Sequence, residues 1–278
     1  MVRQQTTRET ASFYSRVAPR YAEEGPPYFA HAGRRLVEVA QVRPGGAVLD
    51  LGTGRGAVLL PAARQVGPSG RAIGIDVATE MLAYTRRTLE TERLAHASVQ
   101  LMDASALEFE PGQFTHVLSS FSVFFFTDLP AVLRNVRQLL RPNGVAGFAF
   151  SRSTDPRWRW YEQQLRDSGA LAGLPEPNGY PRIREPGILG GLLEASGFTD
   201  VVELEEPTEI WYASPEAWWA SLWTHRSRQP LERMAPELLA RLKTEALQRA
   251  RELADQQGVL ERMQLVYVLA RTGDDVCG

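Results

Sequence analysis

The segment Val48-Leu-Asp-Leu-Gly-Thr-Gly-Arg-Gly56 limits this 278-residue chain more than any other feature. An apolar run too short for a helix meets three glycines at alternate positions, and a helical pattern follows. Glycines at 52, 54 and 56 let the backbone turn through positive φ and approach a ligand closely. The turn sets backbone N–H groups and a helix N-terminus at the strand's C-terminal edge, where open α/β sheets bind ligands.

The surrounding pattern fits such a sheet. Short apolar runs at Ala47–Leu51, Arg71–Asp76, Ser98–Met102, His116–Ser120 and Gly144–Phe150 alternate with helical patterns at Phe29–Ala40, Ala57–Val66, Thr79–Thr91 and Leu129–Leu140. Gly45-Gly46, Pro68-Ser-Gly70 and Pro142-Asn-Gly144 punctuate them. This β-α-β-α rhythm predicts a parallel sheet with helices on both faces. Pro61 counts against a regular first crossover helix. Beyond residue 151 the rhythm breaks. A helix at Ile188–Ser196 and strands at Thr199–Leu204 and Met263–Arg271 complete a Rossmann-like, seven-stranded, mostly parallel sheet with one antiparallel member. The expected organisation is N-terminal lid helices over 1–34, a nucleotide-binding core over 35–151 and a cap insertion over 152–186. The core continues over 187–204, a mainly helical cap insertion fills 205–260, and a final strand and tail occupy 261–278.

The glycines alone leave two cofactors open. Gly52-Thr-Gly54-Arg-Gly-Ala57 fits the dinucleotide fingerprint, and Asp76 stands at a strand end suited to a ribose hydroxyl. An NAD(P)-dependent oxidoreductase is the distant alternative, although no Tyr-x-x-x-Lys pair accompanies it. S-adenosylmethionine is favoured because Asp50, just before the first glycine, suits a cationic amino-acid ligand better than a pyrophosphate. Met102-Asp-Ala104 offers a polar group for an adenine amine.

The residues Val48–Gly56, Gly74-Ile-Asp76 with Met81-Leu82, Met102-Asp-Ala104 and Leu139-Leu-Arg-Pro-Asn-Gly144 together resemble the successive motifs of class I methyltransferases. The resemblance covers about 35–151, with an echo at 187–204, and points to the ubiquinone/menaquinone-type C-methyltransferases and their natural-product relatives. Phe13-Tyr-Ser-Arg-Val-Ala-Pro-Arg-Tyr21 is similar to the element of that group that folds over the cofactor, which involves Tyr14 and Tyr21. The resemblance implies that Asp50, Gly52, Thr53 and Gly54 contact the methionine part, and that Asp76 binds the ribose. It further implies that Val77 or Met81 flanks the adenine, that Asp103 and Ala104 bind its amine edge, and that Ser119 and Ser120 face the sulfonium. S-adenosylhomocysteine would be the product. Thr115 and Phe124-Phe-Phe126 depart from the pattern, the latter where histidine is frequent, so no inherited histidine base is implied.

Of the four histidines, His31 and His96 read as surface or helix-end residues, and His116 as a hydrogen-bonded core residue. His225 and Tyr21 are the weak candidates for a catalytic base, with surface placement the leading expectation for His225. Phe121, Phe124, Phe125, Trp160, Tyr180, Trp219 and Trp223 are candidate walls for a bulky apolar acceptor, since aromatics concentrate in the inserted segments. Aromatic walls without a convincing base favour C-methylation of a prenylated, quinone or natural-product acceptor; O-methylation, or a cyclase holding the cofactor structurally, are the alternatives.

A net charge of −2 gives no basic field for nucleic acid. The start, MVRQQTTRET, lacks an apolar signal region, and no apolar run approaches the roughly 20 residues of a membrane span. A soluble, cytoplasmic protein is expected. The single cysteine, Cys277, excludes an internal disulfide and a four-thiolate metal site, and no metal is expected. A homo-oligomer that exchanges the N-terminal helix is a further expectation.

Overall fold

The computed structural model describes residues 2–21, 25–153, 155–172 and 182–274, with side chains from Thr7 onward. Tyr180 and Cys277 lie outside the described residues. Strands β1 (Ala47–Leu51), β2 (Arg71–Asp76), β3 (Ala97–Leu101), β4 (Phe114–Ser120), β5 (Leu140–Ser153), β6 (Thr199–Tyr212), β7 (Ala254–Asp255) and β8 (Gly258–Arg271) form one sheet. Its order is β3-β2-β1-β4-β5-β8-β6, with β7 a two-residue bridge to β8. β1 pairs in parallel with β2 and β4, while β8 runs antiparallel to β5 and β6. This is the expected mostly parallel sheet with one antiparallel member.

β1 is buried along its whole length because it lies at the centre with helices on both sides. One face packs against α2 (Tyr28–Val39), α3 (Leu59–Val66) and α4 (Thr79–Thr91) through Leu36, Val37, Leu59, Ala63 and Leu82. The other packs against α5 (Leu129–Leu139) and α7 (Ile188–Ala195) through Val132, Leu133, Val136, Leu189 and Leu193. Asp128 caps α5 by accepting from Ala131 N at 3.2 Å. Pro61 is tolerated because it is the third residue of α3, where its missing N–H breaks no intrahelical bond.

β6 runs to Tyr212 rather than ending at Leu204, so the second insertion starts eight residues later than expected. Glu205-Glu206-Pro207 obscured the continuation. β6 is an edge strand, so Pro207 breaks no central ladder, and the acids find partners: Glu206 with Arg35 at 2.7 Å, Glu203 and Glu205 with Arg152. Together with β8 it forms a long arm, from Thr199↔Arg271 to Tyr212↔Val259. Short helices α6 (Arg159–Asp167), α8 (Pro215–Ser221) and α9 (Arg228–Arg233) and the longer α10 (Pro236–Leu253) gather around that arm. Trp158 stacks on Trp218 at 4.0 Å and 15°, and this aromatic centre is continuous with the core above α2 and α3. Among the described residues, no helix is long and apolar enough to cross a membrane.

Candidate functional site

Gly52, Gly54 and Gly56 adopt φ of +69°, +51° and +84°, the left-handed region that the sequence calls for. A Cβ on Gly52 would lie 2.5 Å from Cβ of Ser122, whereas one on Gly54 meets no atom within 4 Å. Gly54 therefore leaves open the space in front of the turn, a cradle that a side chain would fill. Asp50 stands behind this cradle rather than in it. Its side chain is buried, and Oδ2 accepts from Thr53 Oγ1 at 2.7 Å and Leu59 N at 3.1 Å. It braces the turn and the start of α3, and burial pushes its carboxyl up to about 7. Thr53 likewise faces inward to Asp50, and neither side chain lines the pocket.

The next two strand ends do line the cradle, with Val77 and Met81 beside Asp76 and with Ala104 beside Asp103. Asp76 Oδ2 accepts from Gly54 N at 2.8 Å and Oδ1 from Ala78 N at 2.9 Å, which ties the β2 end to the glycine turn. Burial raises its pKa against these bonds. Asp103 Oδ1 accepts from Ser105 N at 2.8 Å, and Oδ2 from Thr7 Oγ1 at 3.1 Å. Thr7 belongs to α1 (Val2–Tyr21), which lies across the cradle as a lid. Phe13, Val17 and Ala18 pack on Ala78 and Met81. Arg55 fastens the lid from the turn itself: its guanidinium donates to Ala18 O at 2.7 Å and sits 4.1 Å over the Tyr84 ring.

Tyr14, Phe121 and Phe125 form a wall shared by this pocket and a second chamber of about 580 Å³. That volume suits a multi-ring small molecule. Phe121 has φ of +56°, a rare conformation for a bulky residue, held by its N–H to Ala149 O at 2.8 Å. Backbone strain of this kind costs about 1–3 kcal/mol and gathers at ligand-handling positions. Tyr14 meets Phe125 edge to face at 5.6 Å. Tyr28, Phe29, Trp158, Tyr161 and Trp218 continue the chamber wall.

The chamber is not uniformly apolar, because His225, Arg226, Arg184 and Glu261 also line it. His225 is half-buried against this interior, not on the outer surface as expected. Its Nδ1 lies 2.8 Å from Ser221 O, which can only accept, so Nδ1 carries the proton and the Nε2 lone pair faces Ser227 Oγ at 3.3 Å. Burial lowers its pKa to about 4, so the ring is neutral at physiological pH. Tyr21, the other candidate base, goes the opposite way: burial raises its phenol well above its ordinary value and keeps it protonated. Burial, with Arg226 adding to it, lowers Arg184 from its ordinary value, and its guanidinium sits 4.9 Å from the Phe124 ring centroid.

Of the sequence-derived cofactor residues, Tyr14, Tyr21, Gly52, Gly54, Asp76, Val77, Met81, Asp103 and Ala104 come together around one pocket. Ser119 does not: it is buried and hydrogen-bonds Ser122 at 2.5 Å, while Ser120 and Ser122 line the pocket instead. Of the aromatic candidates, Phe121, Phe124 and Phe125 line the chamber. Trp160, Trp219 and Trp223 pack behind it, Trp160 under Arg249 at 4.3 Å and Trp219 against Trp223 at 6.5 Å. Trp158 and Trp218, two residues and one residue away, occupy the places expected of Trp160 and Trp219. Arg184 and Arg226 were missed because they lie in irregular segments, where nothing tells which charges turn inward, and Glu261 because it lies near the start of β8, where one acid among apolar residues does not tell which way it faces. His116 is the expected core residue, with Nε2 3.1 Å from Ala40 O.

Residues 48–144 match the family model described as a methyltransferase domain. The chain is 33% identical over 245 residues to nocamycin O-methyltransferase of Saccharothrix syringae, covering 84% of this chain and 87% of that protein. It is 37% identical over 128 residues to aklanonic acid methyltransferase DauC of Streptomyces sp. strain C5, covering 46% and 58% respectively. In fold it is similar to the YcgJ protein of Bacillus subtilis, at a TM-score of 0.59 and 17% identity over 88% of this chain and 99% of that one.

Proposed function

Because the chain belongs to the class I S-adenosylmethionine-dependent methyltransferases, we propose that it methylates an acidic oxygen of a bulky, multi-ring natural product. That membership removes the nicotinamide reading of the glycine turn. The cradle left open by Gly54, between carboxylates at two successive strand ends, fits an adenosyl amino acid. Gly52, Gly54, Asp76, Met81 and Asp103 are the residues to hold it, under the lid fastened by Thr7 and Arg55. When bound, the cofactor supplies an electrophilic methyl group.

The observation that carries the acceptor reading is the chamber behind Tyr14, Phe121 and Phe125, with two arginines and a neutral histidine on its lining. Arg184 and Arg226 attract an enol, phenol or carboxyl oxygen as it gains negative charge. The His225 Nε2 lone pair receives the proton that the oxygen gives up. Aromatic walls align the rings and exclude water, and alignment alone contributes on the order of 7–11 kcal/mol in favourable systems. The names of the two relatives, one an O-methyltransferase and one acting on aklanonic acid, support this reading. Transfer to carbon is the second reading, favoured by the aromatic faces of Trp158 and Trp218, which tolerate a developing cation. The test is incubation with ¹³C-methyl-labelled cofactor and a panel of hydroxylated and carboxylated polycyclic acceptors. The label is expected on oxygen; a label on carbon selects the second reading, and no transfer to any member refutes both.

A further inference from the structure

Glu261 is a carboxyl group spent on a chamber wall where a valine or leucine would pack at no electrostatic cost. It is the fourth residue of β8, opposite Ile210 on β6, on the stretch of the arm that carries the chamber. Tyr212 OH donates to Oε2 at 2.9 Å. Oε1 takes no hydrogen bond among the described residues, although the residue is half-buried and lines the chamber. Groups around it are Tyr212 on its partner strand, Tyr28 from α2, and the Asp155–Arg157 ion pair from the start of the first insertion. Within that pair, Asp155 accepts from Arg157 and from Arg262 N, and Arg157 also donates to Leu260 O. Burial raises the Glu261 carboxyl to about 7, the expected cost of one good bond for four lone pairs. An acceptor oxygen open to the chamber can take a hydrogen bond from a donor on the ligand.

We propose that Glu261, held in place by Tyr212, is a specificity residue that accepts a hydrogen bond from a neutral hydroxyl on the acceptor's ring system. A cationic amine would serve Oε1 equally well, but Arg184 and Arg226 line the same chamber and repel it. His225 meets Phe29 at 6.1 Å, and Phe29 meets both Phe121 and Tyr28, the ring beside Glu261, so the two groups line one continuous chamber. The acceptor class narrows to polycyclic compounds that carry a hydroxyl for Glu261 to read. This rests on the acceptor reading above.

The test uses the full chain saturated with S-adenosylhomocysteine and follows quenching of its tryptophan fluorescence at pH 8. The probes are 2-(hydroxymethyl)anthraquinone, 2-methylanthraquinone and 2-(aminomethyl)anthraquinone, which differ only in the group offered to Glu261. The hydroxymethyl compound is expected to bind about ten-fold more tightly than the methyl compound, as for one hydrogen bond to a charged group. In Glu261→Leu, which offers the probe neither a donor nor an acceptor, that preference falls to within about two-fold. Tyr212→Phe, which keeps the ring in the core, weakens it in the same direction. Unchanged S-adenosylhomocysteine affinity certifies the fold of both variants. Equal, measurable binding of the hydroxymethyl and methyl compounds to the unsubstituted protein overturns the role of Glu261 and leaves the acceptor reading intact. Tightest binding of the aminomethyl compound overturns the neutral-hydroxyl assignment. Failure of all three to bind overturns the acceptor reading, and this proposal with it.

Discussion

Gly54→Ala separates what the glycine turn does for the cofactor from what it does for the fold. At φ of +51° an alanine pays for the left-handed conformation, on the order of 1–2 kcal/mol. Its Cβ meets no protein atom within 4 Å, so no clash adds to that cost. The stability loss therefore stays near the backbone value, roughly a 2–8 °C drop in Tm for a domain of this size. The same Cβ stands in the cradle, where crowding of a bound ligand costs about 1–3 kcal/mol. Gly187 supplies the control. It has φ of +76° in the left-handed region, equally open surroundings and a place at the start of α7 outside the pocket. Gly187→Ala is expected to lose a similar Tm while binding S-adenosylhomocysteine normally; Gly54→Ala loses about 5- to 150-fold in affinity on top of it. Scanning fluorimetry and calorimetry read the two quantities. Equal affinity in the two variants would refute the assignment of the cradle.

His225→Phe removes the proton acceptor and is expected to lower kcat about 100-fold with cofactor affinity unchanged, read by single-turnover transfer. Since His225 stays neutral above pH of about 4, its ionisation imposes no slope on the rate of the unsubstituted enzyme between about pH 5 and 8. Thr7→Val deletes the lid bond to Asp103 and is expected to speed S-adenosylhomocysteine release several-fold, measured by stopped flow, with little change in Tm. Asp50 is raised from 3.8 to about 7, so the native state holds its proton through that window and this contribution to stability falls as pH rises through it. Asp50→Asn removes that loss, and urea unfolding is expected to find it stabilised over the unsubstituted protein at pH 8, by up to about 2–4 kcal/mol, and not at pH 4.

The core was legible because its signals are local. A central strand buried on both faces must be apolar throughout, and glycines at a strand end must turn; Ala47–Leu51, Arg71–Asp76 and Thr79–Thr91 were bounded to the residue. The direction of the Asp50 carboxylate was not legible, because sequence order does not tell whether a carboxylate at a strand end faces the ligand or the turn behind it. The outcome rests on Thr53 Oγ1 and Leu59 N lying within reach. Continuation of β6 past Leu204 was hidden because Glu203, Glu205 and Glu206 are neutralised by Arg152 and Arg35, distant in the chain. Aromatic enrichment in the insertions correctly marked a ring-lined chamber. Choosing Trp218 over Trp219 depends on the rotation of a short helix, which one residue of phase decides, and Trp158 reaches the chamber from the tight turn just before the helix that carries Trp160.

A crystal structure of the S-adenosylhomocysteine complex bears most directly on the union of the two cavities. The sulfur atom is expected at the wall of Tyr14, Phe121 and Phe125, with an open line from it into the chamber that holds His225 and the two arginines. A sulfur atom turned away from that wall, with the aromatic rings closed between it and the chamber, would contradict methyl transfer to a molecule bound there.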